Sequence, residues 1–136
     1  MSVRVIIDTN VLVSGIFFAG LPGRILHLWK NGQIQLVASS EIFHEYAEII
    51  RRLGKKFPGI EITDIIDLLA VELELVRVRK LKESICRDPD DDKFIACALT
   101  AKVKIVITGD KDLLDLTYYK TVRFISPSQF LREAMR

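Results

Sequence analysis

The sequence predicts an α/β fold, a three-layer α/β/α sandwich around a parallel sheet, from three observations. Short β-rich runs alternate with longer helical ones along the chain, and strand–helix–strand repetition builds parallel sheets through right-handed crossovers. The runs Val3 to Ile7 and Val103 to Ile107 are nearly all Val and Ile, as strands covered on both faces are. The 136 residues, 49% hydrophobic and 28% charged, suit one globular domain with one continuous core.

Taken in order, the expected strands are Val3 to Ile7, Ile34 to Ala38, Leu75 to Val78, Val103 to Ile107 and Thr121 to Ile125. A first helix begins near Pro22 and stops at Asn31-Gly32, with proline near its start and glycine after its end. A second follows the capping pair Ser39-Ser40 and ends at Gly54. Gly54 to Glu61 reads as a surface loop, and a third helix runs from Thr63 to about Glu72. A fourth covers Asp92 to Lys102, a short one follows Asp110, and the last starts at Ser126-Pro127. No repeat, low-complexity segment or linker divides the chain, so residues 1–136 are expected to form a single domain.

Composition excludes several classes. The apolar run Val11 to Ala19 is far short of the ~20 residues a membrane span needs. The N-terminus enters the first strand with no basic, apolar leader, so a cytoplasmic protein is expected. Cys86 and Cys97 form no CxxC pair, and His27 and His44 are isolated. That spacing excludes the usual zinc sites and argues against a disulfide framework. Cys97, inside an apolar helical run, reads as a small core residue. Any metal must therefore be held by carboxylates.

The net charge of +2 says little, but its distribution says more. Basic residues gather at Arg51, Arg52, Lys55 and Lys56, and again at Arg77, Arg79, Lys80 and Lys82. Each run alone reads first as a solvated face, although a polyanion could use it. Acids gather at Asp88 and at Asp90 to Asp92.

In open α/β sheets, ligands bind at the carboxyl ends of the strands. Two of the buried strands run directly into aspartates there, Asp8 and Asp110. One such residue is most simply a helix cap, whereas two on adjacent strands would face one crevice. On the second helix, Ile42, Phe43, Tyr46, Ile49, Ile50 and Leu53 make one apolar stripe. Glu41 and Glu48 fall opposite it, while Glu45 lies about 110° from its centre, at the packed edge. Boundary solvation is the plainer alternative for Glu45. The acids ahead of the fourth helix could be dipole-favoured caps, but capping does not explain so many together. Carboxylates so placed repel and call for a cation, for which Mg²⁺ or Mn²⁺ is the natural partner. A metal among them suggests phosphodiester hydrolysis without a covalent intermediate.

The motifs resemble one family. Ile6-Ile7-Asp8-Thr9-Asn10-Val11-Leu12 is similar to the opening motif of PIN domains, and Ser39 to Glu45 fits their second-acid position. Asp92-Lys93-Phe94-Ile95-Ala96-Cys97-Ala98 resembles their third-acid helix, and Thr108-Gly109-Asp110-Lys111-Asp112-Leu113-Leu114 their fourth-acid turn. The resemblance runs in order over essentially the whole chain, through Ile125-Ser126-Pro127-Ser128-Gln129-Phe130-Leu131. It implies a five-stranded parallel sheet and Mg²⁺- or Mn²⁺-dependent RNA cleavage. It also implies a toxin of the VapC-like group, with a protein antitoxin as partner and a homodimer as the assembly. Carried over by position, Asp8, Asp92 and Asp110 hold the main metal, while Glu45 helps a second metal or orients water. Asn10 and Thr108 support them, and Asp112 is a weaker candidate. Asp92 takes the third-acid role because it opens the Lys-Phe-Ile-Ala run; Asp91 is next in line. Phe17, Phe18 and Trp29 could serve a dimer or the core.

Two rivals stand beside this. A phosphoacceptor module, either a receiver or a haloacid-dehalogenase-like phosphatase, shares the strand-end Asp. The dehalogenase site needs a second Asp where Asn10 stands, and a receiver needs an acidic pair where only Asp8 is present. A catalytically silent PIN-like domain that binds RNA or protein keeps the fold without the chemistry.

Overall fold

The computed structural model describes residues 2–78, 85–86 and 88–134. The chain runs β1 (Val3–Ile7), α1 (Thr9–Phe17), α2 (Gly20–Lys30), β2 (Ile34–Ser39), α3 (Ser40–Gly54), α4 (Ile62–Glu72) and β3 (Glu74–Val76). After a 3-10 turn at Pro89–Asp91 come α5 (Asp92–Ala101), β4 (Ile105–Ile107), α6 (Lys111–Leu116), β5 (Tyr118–Tyr119), β6 (Val122–Ile125) and α7 (Pro127–Ala134).

The strands form one sheet in the order β3-β2-β1-β4-β6-β5. All neighbours are parallel except β5 and β6. The expectation of five parallel strands is thus corrected to a six-stranded sheet with one antiparallel edge. The extra strand has only two residues, Tyr118 and Tyr119, turned back through Lys120 at φ 53°. A pair that short carries no period for a sequence pattern to register.

Helix α1 is a second correction, because the Val11 to Ala19 run had been given no element. Its apolar residues do not alternate in a helical stripe, since Thr9, Val11, Leu12 and Val13 are all buried. Asp8 caps it by accepting from the Asn10 amide. The chain then bends by 92° into α2, through Ala19 at φ 60° and Gly20 at φ 71°. The close crossing depends on Gly15, where a Cβ would lie 2.8 Å from both the Leu26 side chain and the Pro22 carbonyl oxygen.

The core lies where the all-aliphatic strands predicted it. Val5, Ile6 and Ile7 of β1 and Val106 and Ile107 of β4 are fully buried. Helix α5 is buried from Phe94 to Ala98, Cys97 included. The apolar stripe of α3 faces inward, with Ile42, Tyr46, Ala47 and Ile50 buried. Strand β4 is shorter than predicted because Lys102, in the left-handed conformation, caps α5 and leaves Val103 in the connection.

Arg51, Arg52, Lys55, Lys56 and Arg77 are exposed, while Arg79, Lys80 and Lys82 lie outside the described residues. Phe17 and Trp29 pack against the core, and Phe18 is exposed. Among the described residues no single helix is long and apolar enough to cross a membrane.

Candidate active site

The site grows from the β1–β4 pairing. The register opposes Ile7 and Ile107, so the next residue on each strand, Asp8 and Thr108, emerges side by side. The Asp8 amide donates to the Ile107 carbonyl at 2.9 Å. The Thr108 hydroxyl donates to Asp8 Oδ2 at 2.7 Å and accepts from the Asp110 amide at 3.0 Å. One fully buried threonine therefore ties the two strand-end aspartates together.

Asp8 is buried, and burial pushes its carboxyl above the ordinary range. The Thr108 hydroxyl and the Asn10 amide oppose that shift, while the charges of Asp110 and Glu45 add to it. Asp110 caps α6, with Oδ1 accepting from the amides of Asp112 at 2.8 Å and Leu113 at 3.3 Å. Asn10 and Asp112 are exposed. Each takes part through its backbone amide, which donates to Asp8 and Asp110 respectively.

Helix α3 delivers Glu45 from the other side. Tyr46, fully buried, donates its hydroxyl to the Ile7 carbonyl and fixes the helix against the end of β1. Burial drives the Tyr46 phenol well above its ordinary value, so it remains a donor. One turn-edge away, Glu45 Oε2 accepts from the Thr9 hydroxyl. Its Oε1 lies 2.8 Å from Lys93 Nζ. Glu45 is half-buried, whereas Glu41 and Glu48 face solvent, as the helical wheel predicted.

Asp92 and Asp91, the two candidates for the third acid, stand in different surroundings. Asp92 Oδ1 accepts from the amides of Ile85 at 3.1 Å and Cys86 at 2.7 Å, and its carboxylate also meets the Cys86 thiol. It closes the segment that precedes α5. Asp91 stands at the cap position of α5 yet makes no capping hydrogen bond. Burial, then the charges of Asp110, Asp8 and Asp88, push its carboxyl up to about 6, against the opposing pull of Lys93. Asp91 thus feels the charges of both Asp110 and Asp8. Burial, then the Asp92 carboxylate, pushes the Cys86 thiol up to about 12.

Lys93 was missed as a site residue. Its side chain is only 6% accessible, and its ammonium also meets Asp90, at 2.7 Å from the carbonyl oxygen and 3.3 Å from Oδ2. Burial works against its charge, but Glu45 and Asp90 outweigh it, and the pKa lies above the ordinary lysine value. The available signal was a lysine directly ahead of the apolar run Phe94 to Leu99 of α5.

Among the described residues no three His, Cys, Asp or Glu side chains stand together as a ready metal cage. Hydrogen bonds explain this, since Glu45 is turned to Thr9 and Lys93 and Asp110 to its own helix. The donor chemistry nonetheless fits a hard divalent cation. The donors are carboxylate oxygens, and two of them, Asp8 and Asp91, are raised partly by neighbouring negative charge that a cation would relieve.

A family model described as PIN domain matches residues 4–112. The uncharacterized protein MJ1680 of Methanocaldococcus jannaschii is 33% identical over 145 residues, covering 98% of this chain and 92% of that one. Two solved structures share the fold at low identity. The crystal structure of VapBC2 from Rickettsia felis, bound to a DNA fragment from its promoter, matches with a TM-score of 0.61 at 14% identity, covering 90% of this chain and 98% of that chain. The crystal structure of PAE2754 from Pyrobaculum aerophilum matches with a TM-score of 0.65 at 13% identity, covering 99% of this chain and 97% of that one.

Proposed function

Because this chain belongs to the PIN-domain family, we propose that it is a metal-dependent endoribonuclease hydrolysing RNA phosphodiesters, the toxin half of a toxin–antitoxin pair. One observation carries this reading. Thr108 ties Asp8 and Asp110 together at the carboxyl ends of two adjacent parallel strands, and Asp91, at the start of α5, feels the charge of both. In this reading those three residues hold Mg²⁺ or Mn²⁺. The ion, when bound, supplies Lewis-acid stabilisation of phosphodiester charge and a lowered pKa for water.

The protein's own groups do the rest. Thr108 fixes the Asp8 carboxylate and the Asp110 backbone in mutual register. Glu45, held by Thr9 and Lys93, orients the attacking water from the α3 side. Asp92 shapes the approach to α5 through the Ile85 and Cys86 amides, so the third-acid role passes to Asp91. The exposed Arg51, Arg52, Lys55 and Lys56 offer positive charge for an RNA backbone.

The antitoxin partnership is supported by the family and by the shared fold with VapBC2. A homodimer, a cytoplasmic location and a single domain over 1–136 complete the proposal. The test is direct. Purified protein with RNA and Mn²⁺ is expected to cleave, and EDTA, Asp8→Asn or Asp110→Asn each to abolish cleavage. Survival of cleavage in all three would overturn the metal–carboxylate mechanism.

A further inference from the structure

We infer that Lys93 supplies the second positive charge of this site, so that the protein takes one divalent ion rather than two. This rests on the metal-dependent reading above. Both carboxylate oxygens of Glu45 are engaged, Oε2 by the Thr9 hydroxyl and Oε1 by Lys93 Nζ at 2.8 Å. A divalent ion at Glu45 would have to displace that ammonium.

Displacement is unfavourable for reasons visible in the fold. The Lys93 side chain is only 6% accessible. It is rooted in the first turn of α5, whose next five residues are buried. Its ammonium is clamped from two sides, by Glu45 and by both the carboxylate and carbonyl of Asp90. Expelled from Glu45, it would sit as a like charge beside the incoming ion. Asp8 and Asp110, joined through Thr108 at the ends of β1 and β4, and Asp91 at the start of α5 are the acids left to hold one hard cation that keeps several waters. Lys93 is thus a positioning residue. It holds Glu45 toward the crevice and offsets its charge without leaving the protein.

Calorimetric titration with Mn²⁺ counts the ions. Wild type and Lys93→Arg are expected to bind one per chain, and Lys93→Met to gain a second, weaker site. Glu45→Gln, which leaves α5 intact, is expected to keep one ion, with affinity lowered by no more than about 100-fold, as for a group outside the ligand set. Two ions in wild type, one ion in folded Lys93→Met, or loss of the ion in folded Glu45→Gln would overturn the inference while leaving the ribonuclease reading standing. No Mn²⁺ binding by wild type would overturn both.

Discussion

Thr108 does more at this site than its size suggests. Its hydroxyl donates to one strand-end acid and accepts from the backbone of the other. In a fully buried position neither bond has a water substitute. Thr108→Val should cost about 1–3 kcal/mol of stability, the penalty for stranding buried polar groups, measured by urea denaturation. It should also raise the Asp8 pKa further, because the hydroxyl now opposes the shift. Substitution distinguishes Asp91 from Asp92. Asp91→Asn should abolish Mn²⁺ binding, whereas Asp92→Asn keeps a carbonyl oxygen for the Ile85 and Cys86 amides and should bind nearly as wild type. Equal loss in both would return the third-acid role to Asp92. The sign of the pH effect follows from Asp91, whose folded pKa of about 6 exceeds its ordinary 3.8. Its contribution to stability is complete below the lower value and is lost as pH rises through the upper. Without metal, Asp91→Asn should therefore gain on wild type between about pH 4 and 6, read by denaturation at each pH. Protons compete with the ion over the same range, so Mn²⁺ affinity should weaken as pH falls below about 6.

Among the elements, β1, β4 and α3 bring the acids together, and these were legible. The aliphatic runs announced buried parallel strands, and the α3 stripe put Glu45 on the packed edge. What escaped has physical causes. Helix α1 packs on α2 and α3 and buries most of its first turns, so tertiary contact replaces the amphipathic signal that a sequence can display. Strand β5 is too short to have a period. Asp91 and Asp92 are adjacent, and no sequence pattern shows that the Ile85 and Cys86 amides engage the Asp92 carboxylate. Lys93 escaped because its burial comes from pairing with Glu45, a residue 48 positions away on another helix. At this scale the α1–α2 crossing is testable. Gly15→Ala places a methyl against the Pro22 carbonyl, which is backbone and cannot yield as a side-chain tip does. A loss of about 1–3 kcal/mol is expected from overpacking, again by urea denaturation.

Taken whole, the molecule sets a negatively charged crevice on a rigid parallel sheet whose central strands cannot move without opening the core. Negative charge gathered there opposes folding until a cation relieves it. Saturating Mn²⁺ should raise the melting temperature of wild type, EDTA should reverse the gain, and Asp8→Asn should show little of it, since only the folded state assembles the acids. The basic residues of α3 and the following turn are exposed, as the proposed contact with a polyanion requires. The most direct measurement of the central claim is the initial rate of RNA cleavage in Mn²⁺ for wild type, Asp8→Asn, Asp91→Asn and Asp92→Asn. The account predicts cleavage by wild type and Asp92→Asn, and a fall of about 100-fold or more in the other two, the scale expected for loss of charge stabilisation at the reacting phosphate. Undiminished cleavage by Asp8→Asn and Asp91→Asn, or wild-type cleavage that persists in EDTA, would contradict it.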